Sequence, residues 1–284
     1  MIEVKNVFHD YDGKGKLAVD DITFSIPRGE IFGFLGPSGA GKSTVQNLMT
    51  GLLRLQKGEI NYEGKSIRDM DSGFFNKMGY SFEHPNLYTK LTGYENLKFY
   101  AGLFSVPTED PLKLLESVGL ASAASQKAGD YSKGMKQRLV FARSIINKPR
   151  ILFLDEPLSG LDPGTSSVLR EIIRRKKQDG VTIFLTTHNM FEADDLCDNV
   201  AFLNNGRIVA MDKPRNLKLK YGEKSVKVEY GEKGQVKTEV LFLDKDEDGK
   251  RLKALIDTRQ IQTLHSQEAT LEQIFMKLTG RGLS

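Results

Sequence analysis

The stretch Gly36-Pro37-Ser38-Gly39-Ala40-Gly41-Lys42-Ser43-Thr44 constrains this chain more than any other. Gly36 and Gly41 bracket a short loop, and Lys42 and Ser43 follow directly. That spacing is the one a phosphate-cradling loop requires. Its glycines let the backbone curl until several N–H groups point at one anion. A helix opening at Lys42 adds its positive end. Lys42 is then placed to reach the β- and γ-phosphates, and the Ser43 hydroxyl to ligate Mg²⁺. A chance glycine-rich turn lacks the right flanks. Here the apolar run Ile31 to Leu35 reads as a buried strand, and about Lys42 to Leu53 as a helix.

The remaining pattern supplies a frame for that loop. Residues 1 to about 35 alternate as short strands, broken by Asp12-Gly13 and Pro27-Arg28-Gly29. From about Leu91 to Asn147 the spacing turns helical, with Leu112, Leu115, Val118 and Leu120 suiting one apolar face. A strand at Ile151 to Leu154, a helix near Thr165 to Lys177 and a strand at Val181 to Thr187 follow. Such alternation predicts an α/β core with a parallel sheet and a helical insertion. Near Leu217 the character shifts. Ser225 to Tyr230 and Val236 to Leu243 read as strands either side of Gly231-Glu232-Lys233-Gly234. A helix near Lys250 to Ile256, a strand at Ile261 to His265 and a helix at Thr270 to Leu278 complete the pattern. Residues 1–219 are expected to form the first domain, with its helical part at about 90–147, and 220–284 a small α+β appendage.

Composition bounds the setting. A chain of 284 residues with 39% hydrophobic and 27% charged residues can bury a sizeable core. Its net charge of +4 is mild, and no nucleic-acid partner is expected. No apolar run approaches the roughly 20 residues of a membrane-crossing helix, and no secretory leader is visible. Cys197 is the only cysteine, so no disulfide can form within the chain. These features predict a cytoplasmic protein that reaches a membrane only through a partner.

Ile151-Leu152-Phe153-Leu154-Asp155-Glu156 reads as the second half of the phosphate site. Its apolar run puts Asp155 at the C-terminal end of a buried strand, where open α/β sheets bind ligands. Asp155 can hold the Mg²⁺ shell. Glu156 is a candidate general base for the attacking water. A kinase or a GTPase would satisfy these features equally.

The segment Tyr131-Ser132-Lys133-Gly134-Met135-Lys136-Gln137-Arg138 separates the alternatives. It resembles the signature motif of ABC ATPases, whose norm is Leu-Ser-Gly-Gly-Gln. Tyr131, Lys133 and Met135 depart from that norm, in a form that looks like the exporter subgroup moving drugs, antibiotics and lipids. Ser159-Gly160-Leu161-Asp162 resembles the family's D-loop, and His188 matches its switch histidine. Tyr11 sits where the family places an aromatic ring against adenine. The resemblance covers roughly residues 1 to 215. Thr270-Leu271-Glu272-Gln273-Ile274-Phe275 extends it more weakly to the C-terminal part.

The resemblance implies a P-loop NTPase of the ABC-ATPase fold, with an antiparallel β subdomain and a helical signature subdomain. Its ligands would be ATP and Mg²⁺. Two cassettes would face head to tail, with Ser132 and Gly134 of one contacting the γ-phosphate held by the other. Asp162 would link the two sites, and His188 would contact the γ-phosphate. A polytopic membrane permease and a second ATPase subunit are the partners implied, at the cytoplasmic face of a membrane. Where the family expects Gln, this chain has Glu83, in Ser81-Phe82-Glu83-His84-Pro85. A carboxylate there can ligate Mg²⁺ more strongly than an amide, while adding negative charge near the γ-phosphate.

Other readings are weaker. A soluble ABC ATPase of chromosome structure would need a long coiled-coil insertion before the signature, and a translation-associated one would need two cassettes. A nucleotide-binding regulatory module would not need Glu156 and His188. A small-molecule kinase is supported only by the glycine-rich loop. Asp244 to Gly249 opens like an EF-hand loop, but Leu255 stands where a bidentate Glu is required, so it reads as a solvated acidic turn. Asn147-Lys148-Pro149-Arg150 resembles a guanine-specificity motif but ends in Arg rather than Asp. Arg174-Arg175-Lys176-Lys177 reads as a solvated helix end, and the four histidines show no metal-ligand spacing.

Overall fold

The computed structural model describes residues 1–232, 235–258 and 261–280. The chain divides into two compact units, Met1–Met211 and Asp212–Gly282. The second unit starts earlier than the expected boundary at 219/220, because the helix Pro214–Tyr221 packs on the helix Leu271–Thr279.

The first unit is built on a six-stranded sheet. In spatial order its strands are Arg207–Asp212, Asn199–Asn204, Ile31–Leu35, Thr182–Thr187, Ile151–Asp155 and Met78–Ser81. From Asn199–Asn204 onward every pairing is parallel. All residues of Ile31–Leu35 and Thr182–Thr187 are buried, which is why they read as continuous runs rather than alternating ones. Phe32, Phe34, Phe153 and Phe184 fill the layer beneath the site, with Phe32 and Phe184 stacked at 6.3 Å between centroids.

Strand register fixes the chemistry. Leu35 pairs with Thr187, and Asp155 with Thr186. The glycine-rich loop, Asp155-Glu156 and His188 therefore leave the sheet at one level of one rim, at the C-terminal ends of the strands.

An antiparallel sheet of Leu17–Ile26, Ile2–Asp10, Lys57–Tyr62 and Lys65–Ser66 covers the core. Ile22, Phe24 and Ile60 from it share one apolar cluster with Val45, Leu48 and Met49 of the helix Lys42–Met49. The Tyr62 hydroxyl donates to the Met49 carbonyl, tying that helix to this sheet. The helical part contains Gly93–Ala101, Pro111–Ser117 and Lys133–Ser144, N-capped by Thr92, Asp110 and Ser132.

In the second unit, Gln235–Phe242, Ser225–Glu232 and Ile261–Gln267 form an antiparallel sheet with Ser225–Glu232 central. Val226, Val228, Tyr230 and Leu241 pack with Leu255 of the helix Asp246–Asp257. Lys233 and Gly234 of the expected turn, and residues 281–284 of the appendage, lie outside the described residues.

Several local expectations are corrected. The first helix stops at Met49 rather than Leu53, since Gly51 has φ +74°, outside the right-handed helical region. The acidic run is a turn only at its start, at Asp244. Asp246, Glu247 and Asp248 form the first turn of a helix, where their charges suit the dipole, and Asp248 accepts from the Phe242 N–H at 2.8 Å. The basic helix end is partly engaged: Arg174 holds Asp195 at 2.6 Å and Lys177 holds Asp198 at 2.5 Å. The strands Lys57–Tyr62, Asn199–Asn204 and Arg207–Asp212 and the helix Met190–Leu196 were not read from the sequence. No helix among the described residues is long and apolar enough to cross a membrane.

Candidate active site

The glycine-rich loop has the backbone its composition demands. Gly39 has φ +78° and Gly41 +105°, values that side-chain-bearing residues rarely adopt. A Cβ on Gly36 would lie 2.3 Å from the Leu203 carbonyl oxygen, and one on Gly41 2.5 Å from that of Ala18. Between them the Ala40 N–H donates to the Pro37 carbonyl at 3.2 Å. Lys42 is only 8% exposed, and its ammonium donates to the Gly36 and Pro37 carbonyls at 2.7 and 3.1 Å. Burial pulls its pKa down, while the charges of Glu156, Asp155 and Glu83 act in the other direction.

Ser43 Oγ lies 3.5 Å from Asp155 Oδ1, and the Thr186 hydroxyl donates to that same oxygen. Burial raises the Asp155 pKa. The bonds from Thr186 and Ser43 oppose that rise and the charge of Glu83 adds to it. Ser43, Asp155 and Glu83 offer hard oxygen donors. Among the described residues no group of three or more His, Cys, Asp or Glu side chains could hold a metal by itself. This donor set fits Mg²⁺, which takes one or two protein oxygens and completes its shell with phosphate and water.

Glu156 follows in a left-handed conformation, φ +47°, a strain of about 1 kcal/mol that functional sites retain. Its N–H donates to the Thr186 carbonyl at 3.0 Å, which holds the turn. The side chain is held at both oxygens: Oε1 lies 2.8 Å from His188 Nδ1, and Oε2 accepts from the Thr187 hydroxyl at 3.2 Å. An ionised carboxylate only accepts, so Nδ1 carries the proton in this pair. At 7% exposure, Glu156 is shielded from bulk water yet lines a cavity of about 360 Å³ with His188, Arg170 and Glu192.

Tyr11 is 59% exposed. Its hydroxyl is 3.1 Å from Thr44 Oγ1 and its ring meets His9 edge-on at 4.7 Å, so an open aromatic face stands over the end of the glycine-rich loop. Ser132 caps the helix Lys133–Ser144, accepting from the Met135 N–H at 3.2 Å. Gly134 and Lys133 lie against Leu161 and Gly160 of the D-loop in the same chain. Asp162 caps Pro163–Gln178, accepting from the Thr165 N–H at 3.0 Å, and these bonds to Thr165 lower its pKa.

The structure thus brings Lys42, Ser43, Asp155, Glu156 and His188 to one rim and places the Glu83 charge within reach of it. Ser132, Gly134 and Asp162 gather instead around the signature helix and the D-loop. Sequence reading missed Thr186, Thr187 and Glu192. The Thr186-Thr187 pair just before His188 was the available signal, because strand ends at such a rim aim their hydroxyls into the site.

A family model described as "ABC transporter" matches residues 19–159. Over all of this chain, and 95% of its own length, a fluoroquinolones export ATP-binding protein of Mycobacterium tuberculosis is 47% identical. The chain belongs to the ABC transporter ATP-binding proteins. Among solved structures, an ATP-binding subunit of an ABC transporter is 30% identical with a TM-score of 0.71, covering 78% of this chain and 93% of its own. A dimeric ATP-binding cassette in a post-hydrolysis state with ADP and Pi is 26% identical with a TM-score of 0.68, covering 75% and 98%. This ABC subunit is an ATP-binding, ATP-hydrolysing protein. Members of its family work with a membrane permease partner and dimerise. A soluble ABC ATPase working on nucleic acid or ribosomes finds no support in these likenesses.

Proposed function

We propose that this subunit is the motor of an exporter of drug-like or antibiotic compounds, acting at the cytoplasmic face of a membrane through a separate polytopic permease. The fluoroquinolone export of its full-length relative supports this reading. One observation carries the catalytic part. The Glu156 carboxylate is fixed at both oxygens, by His188 and Thr187, on the rim that also holds the buried ammonium of Lys42.

On this reading several backbone N–H groups of the loop 36–44 bind the β- and γ-phosphates, and Lys42 turns its donors from the Gly36 and Pro37 carbonyls to phosphate oxygens. Tyr11 stacks on adenine. Ser43 and Asp155, with Glu83, would hold Mg²⁺, which would supply charge neutralisation at the phosphates. Glu156 accepts the proton of the attacking water, and His188 keeps its carboxylate aimed. Ser132 and Gly134 serve the nucleotide of a second subunit. ATP then favours the closed pair because only that state gives it both sets of contacts. The first domain, 1–219 by sequence, carries this chemistry.

The test is mass measurement of a Glu156→Gln chain in solution with ATP and Mg²⁺. A stable dimer that dissociates when ATP is removed is expected; a monomer under both conditions overturns the head-to-tail reading. Purification of the chain from detergent-solubilised membranes should recover a stoichiometric polytopic partner. Recovery on ribosomes or nucleic acid would instead favour the soluble alternative.

A further inference from the structure

Thr187 stands between two carboxylates. Its hydroxyl oxygen lies 3.2 Å from Glu156 Oε2 and 3.4 Å from Glu192 Oε2. The Asn189 N–H donates to the same oxygen at 3.0 Å. A hydroxyl has one proton and two lone pairs, so it can donate to only one of its two acidic neighbours. If both carboxylates are ionised, one of them faces a lone pair. With Glu156 ionised, as a base must be, one arrangement satisfies every atom. In it Glu192 Oε2 carries a proton and donates it to Thr187 Oγ1. Thr187 takes the Asn189 N–H on its other lone pair and donates its own proton to Glu156.

The surroundings of Glu192 suit that state. Its other oxygen, Oε1, accepts from the Asn189 side-chain amide at 3.1 Å. Burial raises its pKa, and the nearby Glu156 charge raises it further. The Thr187 bond and the charges of Arg170 and His188 act against this. Arg170 also faces Asp195 at 3.8 Å, which shares its charge. Glu192, Glu156, His188 and Arg170 line the same cavity, so the four groups form one electrostatic unit.

We propose that Glu192 is a positioning residue for ATP hydrolysis: carrying a proton, it orients the Thr187 hydroxyl toward Glu156 and so fixes the carboxylate that His188 holds from its other oxygen. The proposal rests on the reading of Glu156 as the base. It adds a third group to the support of that base, one that touches neither nucleotide nor attacking water.

The experiment is steady-state ATP hydrolysis by the purified 284-residue chain with Mg²⁺, from neutral to alkaline pH. Binding of a fluorescent ATP analogue checks that each variant keeps a formed site. Glu192→Ala is expected to lower kcat about tenfold, from the lost orientation of one charged hydrogen bond, with the KM for ATP unchanged. Glu192→Gln, whose amide donates to Thr187 at every pH, recovers most of that loss. It also lacks the alkaline decline in kcat that ionisation of Glu192 gives the unmodified chain.

Three results overturn the proposal: Glu192→Ala within about twofold of the unmodified chain, Glu192→Gln no faster than Glu192→Ala, or the same alkaline decline in the unmodified and Glu192→Gln chains. Thr187→Val guards against a Glu192→Ala chain that does not fold. Without the Thr187 hydroxyl, the alkaline decline in kcat is expected to vanish; the same decline in Thr187→Val as in the unmodified chain sinks the proposal. Glu156→Gln is run alongside. Activity kept in that variant removes the base assignment and this proposal with it. Activity lost there but kept in Glu192→Ala removes this proposal alone.

Discussion

Glu156 Oε1 and His188 Nδ1 stand 2.8 Å apart, joining the ends of two neighbouring parallel strands across the rim of the sheet. The pair holds a buried carboxylate whose backbone is itself left-handed. Replacing Glu156 with Gln removes the proton acceptor and keeps the shape. Hydrolysis is expected to fall by about two orders of magnitude or more, with ATP affinity retained. His188→Ala should cost about tenfold, since Thr187 still holds the other oxygen. Single-turnover hydrolysis beside nucleotide titration measures both.

Gly36 and Gly41 are irreplaceable for steric reasons. A Cβ at either meets a backbone carbonyl oxygen, of Leu203 or Ala18, at 2.3 or 2.5 Å. Neither contact can relax by a side-chain rotation. Gly36→Ala and Gly41→Ala are each expected to lose about 3 kcal/mol of stability, read by denaturant unfolding. Gly39 has no such neighbour, so Gly39→Ala should lose only the smaller cost of its positive φ, about 1 kcal/mol.

Tyr11 offers an open ring face and is tethered by its hydroxyl to Thr44. Tyr11→Ala should weaken ATP binding about tenfold, the scale of one lost base–aromatic stack. Tyr11→Phe should weaken it by less, because the stack survives. Isothermal titration with ATP separates the two.

Glu83 presses its charge on both Lys42 and Asp155. Removing that charge with Glu83→Gln should raise the Mg²⁺ concentration for half-maximal hydrolysis several-fold, since an amide is the weaker ligand. ATP affinity without metal should rise, because one negative charge leaves the phosphate site. Hydrolysis itself should persist at saturating Mg²⁺ and stop when EDTA removes the metal. An unchanged Mg²⁺ dependence would remove Glu83 from the metal shell.

In the second unit, bonds from Arg251, then Tyr230, pull the Glu239 pKa down from 4.5 to about 2. A lowered carboxylate pKa stabilises the folded unit above pH 4.5, and that contribution is lost as pH falls through about 2. Arg251→Ala should therefore speed amide hydrogen exchange in Ser225–Glu232 at neutral pH. The difference from the unmodified chain should shrink across that acidic window. A difference that persists below it would assign the effect to packing of the Arg251 stem instead.

Local rules made the phosphate loop, the strand before it and the acidic strand end at Asp155-Glu156 legible in the chain: glycine spacing, short apolar runs too buried to alternate, and polar residues where those runs stop. His188 was legible through the family resemblance, as the histidine after the strand Val181 to Thr187. Local rules also set the signature helix, because Ser132 is a good N-cap ahead of a helix-forming run. Sequence could not say which strands become neighbours. Asp155 meets Ser43, and Glu156 meets His188, only because Thr182–Thr187 lies between Ile31–Leu35 and Ile151–Asp155, and register is a property of paired backbones. Strands such as Asn199–Asn204 escaped notice because their apolar runs are too short to tell from a buried helix. Thr187 and Glu192 gained their roles the same way. A threonine and a glutamate five positions apart mean little in a chain, and tertiary structure alone put one hydroxyl proton between two carboxylates.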